Sequence, residues 1–129
     1  MNKKRVLFLC TGNSARSQMA EGIVNRELNY TWQAFSAGTK PSEIVHPLAI
    51  AAMAEIGIDL SDHHPKSTEE FRHSAFDLII TVCDHAAKMH VFRQVRDAIR
   101  KEILGFLTEW EESSSSQQSL DFVVETNLR

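Results

Sequence analysis

Residues Val6 to Gly22, VLFLCTGNSARSQMAEG, decide the fold of this chain. The first four form a continuous apolar run that predicts a buried strand, and Cys10 stands where this strand ends. Gly and Asn within residues 11–15 tolerate left-handed backbone angles, which predicts a tight loop. From Ser17 onward, apolar residues recur at helical spacing. The stretch therefore predicts a strand, a loop and the start of a helix.

A loop between a strand and a helix N-terminus predicts a site for a tetrahedral oxyanion. Its backbone N–H groups and the positive end of the helix dipole face one concavity, and a guanidinium adds a planar fork for two oxygens. The same field favours a thiolate at Cys10 and lowers its pKa below the ordinary value of about 8.5. The predicted oxyanion-binding residues are Thr11, Gly12, Asn13, Ser14, Ala15 and Arg16. The alternative is a structural cysteine buried in a tight turn.

Length, composition and charge describe one ordinary globular domain. The chain has 129 residues, of which 43% are hydrophobic and 24% charged, and its formal net charge is −3. This charge favours neither a nucleic acid nor a membrane surface as partner, and no apolar run approaches the ~20 residues of a membrane helix. The apolar run after Met1–Arg5 is too short for a signal peptide, so we expect a cytoplasmic protein. Two cysteines there favour reactive use over a structural disulfide, and no ligand-spaced cluster predicts a metal or cofactor.

The rest of the chain alternates between strand-like and helix-like segments. This alternation predicts a three-layer α/β fold, with a small parallel sheet and helices on both faces. The predicted elements are a strand at Thr31–Ser36, a helix from His46-Pro47 with Gly57 as its C-terminal cap, a capping box at Ser67–Glu70, a strand at Phe76–Val82 ending in Cys83, and a long amphipathic helix from Met89.

The loop sequence resembles that of a known enzyme family. CTGNSARSQMAEG is similar to the phosphate loop of the low-molecular-weight protein tyrosine phosphatases, above all to their thioredoxin-coupled arsenate reductase branch. The likeness continues through SAGTKP (Ser36–Pro41), HPLAIAAMAEIGID (His46–Asp59) and DLIITVCDHAA (Asp77–Ala87). It covers about the first two-thirds of the chain and implies an enzyme of this family.

The resemblance also assigns roles to single residues. It implies that Cys10 is the nucleophile, that Arg16 grips the oxyanion, that Ser17 bonds the thiolate and that Asn13 holds the loop in shape. The family's strand order, 2-1-3-4, makes the strands ending at Cys10 and Cys83 neighbours, and both cysteines then lie where open α/β sheets place their sites. Cys83 is thus implied as a relay cysteine, against the alternative of an inert buried residue.

Two family features are missing from this sequence. Thioredoxin-coupled relatives carry a third cysteine soon after the second, but residues 84–90 contain none. The Asp-Pro pair that supplies the family's general acid occurs nowhere in the chain. Such an acid typically contributes about 10²–10⁴-fold in rate. Three functions therefore stay open: arsenate reduction with thioredoxin or a small thiol as reductant, hydrolysis of phosphotyrosine, and oxyanion binding with impaired catalysis.

The C-terminal segment departs from the family as well. A Ser-rich linker follows the long helix, so we divide the chain into a domain at 1–112 and a linker with tail at 113–129. If the fourth strand is missing, Phe76–Val82 is an exposed apolar edge. We expect Leu120–Glu125 to pair with it in parallel, within a monomer or swapped between two copies. Glu125 would then reach the active-site side as a substitute acid. The alternative is a mobile tail.

Overall fold

The structure is a computed structural model that describes residues 3–82, 89–113 and 121–124. Its strands form one parallel sheet in which, numbered along the chain, the second strand lies at one edge and is followed by the first, the third and the fourth. The elements are β1 (Lys4–Cys10), α1 (Arg16–Glu27), β2 (Trp32–Gly38), α2 (Pro47–Ala54), a 3₁₀ helix (Thr68–Phe71), β3 (Leu78–Val82), α3 (Met89–Ser113) and β4 (Asp121–Val124). The predicted parallel sheet and the order 2-1-3 of its first three strands are confirmed.

The main core lies on one face of the sheet. Alternate residues of the central strands are fully buried there, namely Val6, Phe8, Leu78 and Ile80. The helices α1, α2 and α3 contact one another over this face. On the opposite face the rings of Phe35, Phe71 and Phe76 pack edge to face, with centroids 5.7 to 5.8 Å apart. The third layer is therefore the short 3₁₀ helix. No helix in the described ranges is long and apolar enough to cross a membrane.

Two predicted caps fix the ends of the segment 58–66, which passes beside the predicted loop. Gly57 has a φ of 79°, the left-handed conformation that glycine supplies after a helix. Ser67 forms the predicted capping box with Glu70 at the start of the 3₁₀ helix. Both predicted caps are confirmed, and the segment 58–66 runs between them.

The C-terminal segment forms the fourth strand. Asp121–Val124 runs parallel to β3 in the same chain, with Ile79 opposite Asp121. The pairing covers the edge of β3 that the sequence otherwise leaves exposed, so the expected strand is confirmed over these four residues. The outer ends of that expected strand, Leu120 and Glu125, lie outside the described residues, and the acid role of Glu125 stays a prediction.

Removing residues 113–129 is expected to lower the melting temperature by several degrees and to promote self-association. The deletion exposes the backbone donors and acceptors along one edge of β3. For a domain of this size, each kcal/mol of stability lost lowers the melting temperature by about 4 °C. Calorimetry and light scattering on the full and shortened chains measure both effects. Equal melting temperature, solubility and oligomeric state would show that β4 contributes nothing to stability.

Candidate active site

The carbonyl groups of the loop between β1 and α1 are all held from outside the loop. Those of Cys10 to Ser14 accept hydrogen bonds in turn from the backbone N–H of Thr39 (3.2 Å), Lys40 (2.9 Å) and Ser42 (2.9 Å), the side-chain amide of Gln18 (3.2 Å), and the backbone N–H of His46 (2.7 Å). In a trans peptide the N–H group points away from the carbonyl. The amides of residues 11–15 therefore turn to the other side of the loop, where they form an anion-binding concavity.

Cys10 ends β1 and directs its sulfur towards these amides. The backbone N–H of Asn13 donates to Cys10 Sγ at 2.9 Å, and Ser17 Oγ lies 2.8 Å from the same sulfur. Because Ser17 Oγ accepts a hydrogen bond from Asn13 Nδ2 at 2.8 Å, its own proton is directed to the sulfur. Two donors on one sulfur favour the thiolate over the thiol. The structure thus brings Cys10, Asn13 and Ser17 together, as the resemblance implied.

The positive end of α1 faces the same concavity. Arg16 is the first residue of this helix and is 4% exposed. The preceding residue, Ala15, provides no side-chain cap, and the first turn of α1, which is described in full, contains no acidic residue. No acidic side chain of this turn therefore offsets the partial positive charge of the helix end, which can act on an anion. Together with the loop amides and a guanidinium, this charge can neutralise a tetrahedral oxyanion.

Gly38, at the end of β2, allows the loop to lie against the sheet. A Cβ atom at this position would overlap the carbonyl oxygen of Thr11 and lie 3.0 Å from the backbone nitrogen of Asn13. Both atoms are backbone atoms of the loop and cannot turn aside as a flexible side chain would. Only glycine permits this close approach of backbone to backbone.

Gly38→Ala is expected to destabilise the fold by about 1–3 kcal/mol, a typical cost of overpacking, and to weaken oxyanion binding. The matched control is Gly105→Ala in α3, where a Cβ would meet no heavy atom within 4 Å among the described residues. That control should stabilise the protein by about 0.5–1 kcal/mol, because alanine is the better helix former. Chemical denaturation and phosphate titration measure both quantities. Equal effects of the two substitutions would contradict the close approach at Gly38.

Known proteins with similar sequences and structures include phosphatases and arsenate reductases. A family model described as low molecular weight phosphotyrosine protein phosphatase matches residues 5–121. The chain belongs to this family. An "Arsenate reductase" of Halalkalibacterium halodurans is 38% identical over 135 residues, covering 82% of this chain and 96% of the relative. An "Arsenate reductase 2" of Staphylococcus epidermidis is 41% identical over 106 residues, covering 82% and 79%. A solved structure described as an arsenate reductase in the phosphate binding state has a TM-score of 0.74 and 29% identity, covering 82% of this chain and 98% of that one.

This phosphatase-family chain is shorter inside the matched region than its Halalkalibacterium relative. The match takes in 82% of 129 residues, about 106, but extends over 135 aligned positions. About 29 of these positions therefore have no residue of this chain. The difference agrees with the missing acid loop, since the sequence contains no Asp-Pro pair.

The predicted relay cysteine, Cys83, directly follows β3 in the sequence. Strands β1 and β3 are neighbours in the sheet, with Leu9 opposite Thr81, and Cys83 follows two residues after Thr81. Cys83 itself lies outside the described residues, as does Glu125, so their positions relative to Cys10 stay predictions.

Sequence reasoning missed a group of polar residues behind the loop. Gln18 and Glu21 of α1 are 0% and 8% exposed, although the sequence pattern assigned only apolar residues to the buried face of this helix. His63 places Nδ1 3.1 Å from Gln18 Oε1 and 3.3 Å from Glu21 Oε2. No group of three or more metal-ligating side chains occurs among the described residues. The sequence pattern contains no signal for these residues, because they are buried only when the segment 58–66 covers this side of α1.

Glu21 carries a negative charge in this group. Burial, the largest effect, raises the pKa of its carboxyl group, but the hydrogen bond from His63, the charge of Lys66 and the hydrogen bond from Ser36 outweigh it. The net result is a pKa below the usual value, so the carboxylate is ionised at neutral pH. Its partners lie at 3.5 Å for Lys66 Nζ and 3.0 Å for Ser36 Oγ.

Proposed function

We propose that this chain reduces arsenate to arsenite and that the thiolate of Cys10 is the nucleophile. The observation that carries the proposal is the pair of donors on Cys10 Sγ, from Asn13 and Ser17, at the floor of a loop whose amides face one side. An oxyanion held by the amides of residues 11–15 and by Arg16 has its central atom above this sulfur. The relatives named arsenate reductase, at 38% and 41% identity, support arsenate as the substrate.

The proposed reaction proceeds in two bond exchanges. First, the thiolate of Cys10 attacks As(V), an S–As bond forms, and one arsenate oxygen leaves as water after protonation. Second, another thiolate attacks Cys10 Sγ, an S–S bond forms, and the electron pair of the S–As bond remains on arsenic as As(III). The two sulfurs lose the two electrons that arsenic gains, and arsenite departs. A reduced thiol then opens the disulfide by exchange.

We assign the second thiolate to Cys83 and the external reductant to thioredoxin or a small-molecule thiol. The neighbouring positions of β1 and β3 support Cys83, since a disulfide requires Cα atoms within about 7 Å. Glu125 is the proposed substitute for the missing general acid. Because β4 is parallel to β3, the C-terminal end of β4, which Glu125 follows in the sequence, lies at the same edge of the sheet as Cys10. A cytoplasmic location belongs to the same proposal, since it keeps both thiols reduced.

Product analysis with two thiol reductants and a thiol-free control tests this function. Arsenite formation is measured with thioredoxin, with glutathione and without any thiol, and hydrolysis of p-nitrophenyl phosphate is measured in parallel. We expect thiol-dependent arsenite formation that exceeds phosphate release. Arsenite formation at the background rate with every thiol would refute the proposal.

Cys83→Ser is expected to abolish thioredoxin-dependent turnover and the Cys10–Cys83 disulfide, because no second thiol remains in the chain to attack Cys10. Turnover with a small thiol should persist, since an external thiolate can take the same step. Steady-state rates and peptide mapping of the oxidised protein provide the measurement. Unchanged thioredoxin-dependent turnover would make Cys83 structural and leave Cys10 to act with external thiols alone.

Hydrolysis of a phosphate monoester is the second candidate. The family model, described as a phosphotyrosine protein phosphatase, favours it, and the same loop can hold a phosphoryl group on Cys10. Phosphate release from p-nitrophenyl phosphate without any thiol, at a rate above that of arsenite formation, would favour this function. Oxyanion binding with neither activity would identify an impaired binding protein.

A further inference from the structure

Asn13 is the residue through which the loop touches the proposed nucleophile. It is fully buried and has a φ of 50°, a left-handed conformation that is uncommon outside glycine. Its backbone N–H donates to Cys10 Sγ, and its side-chain amide orients the hydroxyl of Ser17 towards the same sulfur. Both of these described donors therefore depend on the placement of one strained residue.

Gln18 holds Asn13 from behind. Gln18 Nε2 lies 3.2 Å from Asn13 O, 3.0 Å from Asn13 Oδ1 and 3.0 Å from the carbonyl oxygen of His64. These three neighbours are all acceptors, so the amide nitrogen must face them, and Gln18 Oε1 must face the other way. The backbone N–H of Lys66 adds a second donor to Asn13 Oδ1 at 2.8 Å. The side chain of Asn13 is thereby fixed on its acceptor side and can direct its Nδ2 only to Ser17.

His63 and Glu21 hold Gln18 in turn. His63 Nδ1 lies between Gln18 Oε1 and Glu21 Oε2, both of which are acceptors, so this nitrogen carries a proton. The side chain of His63 is 29% exposed and that of Glu21 is 11% exposed, so the pair closes the hydrogen-bonded chain where the protein meets solvent. The described contacts therefore run without a break from Glu21 through His63, Gln18 and Asn13 to the sulfur.

We propose that Gln18, oriented by His63 and Glu21, is the positioning residue of the nucleophilic loop and that it holds Asn13 where its two donors stabilise the Cys10 thiolate. This inference rests on the proposed function in one respect, the choice of Cys10 as the nucleophile. None of these three residues touches the sulfur itself. They act through Asn13, so their substitution should raise the pKa of the Cys10 thiol while the chain still folds.

Two adjacent histidines provide a matched test. His63→Ala removes the donor to Gln18, whereas His64→Ala removes an exposed side chain and keeps the carbonyl group that Gln18 contacts. The readout is the rate of iodoacetamide alkylation against pH, with peptide mapping to assign the label to Cys10 and not to Cys83. We expect His63→Ala to raise the alkylation pKa of Cys10 by about one unit and to lower kcat/KM about tenfold. His64→Ala should leave both quantities at the wild-type values.

Two further variants separate positioning from packing. His63→Gln places a side-chain amide donor near Gln18 Oε1, so the alkylation pKa of Cys10 should stay close to its wild-type value. Gln18→Met keeps the length of the side chain but removes its donors, and should raise the alkylation pKa at least as far as His63→Ala. A wild-type alkylation pKa in folded His63→Ala or Gln18→Met, or an equal shift in His64→Ala, would overturn the inference. Alkylation needs no substrate, so this result is independent of whether the wild-type chain turns over arsenate.

Discussion

Cys10→Ser is expected to reduce arsenate turnover by at least three orders of magnitude. An alcohol is a far weaker nucleophile than a thiolate at neutral pH, and serine cannot form the disulfide that transfers two electrons to arsenic. The fold should survive, because serine is close to cysteine in size and Asn13 N–H and Ser17 Oγ can bond to an oxygen in place of the sulfur. Steady-state arsenite production, with circular dichroism as a check on folding, measures the result.

The chain offers a direct control for this substitution, since it contains two cysteines. Cys83→Ser keeps Cys10 and should keep arsenite production with a small thiol, whereas Cys10→Ser should lose it with every reductant. Phosphate binding should persist in both variants, because the loop amides and Arg16 are retained. Substantial turnover by folded Cys10→Ser would show that another group attacks arsenate.

Arg16→Lys is expected to lower kcat/KM by about two orders of magnitude, even though the positive charge is retained. A guanidinium donates two parallel hydrogen bonds to two oxygens of a tetrahedral anion, whereas an ammonium binds as a point charge. Losing one such donor at a site of developing charge typically costs about 10²–10³-fold in rate. Arg16 is 4% exposed, so little solvent is present to replace the lost contacts. Phosphate titration by calorimetry should show weaker binding in the same variant.

Arg96→Lys serves as the control for a buried arginine outside the loop. Arg96 is 9% exposed and bonds to the carbonyl oxygen of Ala52 and to Glu55, which joins α3 to α2. Its substitution should lower stability with no effect on phosphate affinity. Equal phosphate affinity in wild type and Arg16→Lys would remove Arg16 from the oxyanion site.

The order of strand, loop and helix from β1 to α1 was readable from the sequence, and it determined which residues form the site. A strand, a loop and a helix that follow one another directly place Cys10, Asn13 and Ser17 close together by local geometry. Contacts from residues 38–46 then hold the loop carbonyls and complete the concavity. The fourth strand was also predictable, because an unpaired apolar edge and a six-residue run rich in strand formers favour pairing. A sequence pattern can predict contacts between residues that are close in the chain, and it can predict that an apolar strand edge will be paired.

The tertiary structure alone decided what lies behind the loop. The pattern of α1 placed Gln18 and Glu21 outside its apolar face, and only the path of residues 58–66 across that helix buries them and brings His63 to them. Gly38 likewise reads as a strand terminator in sequence, and its contact with Thr11 exists only after β2 has paired with β1. Both results depend on segments tens of residues apart in the chain. Whether a polar side chain becomes buried is determined by the distant backbone that covers it and supplies its hydrogen-bond partners.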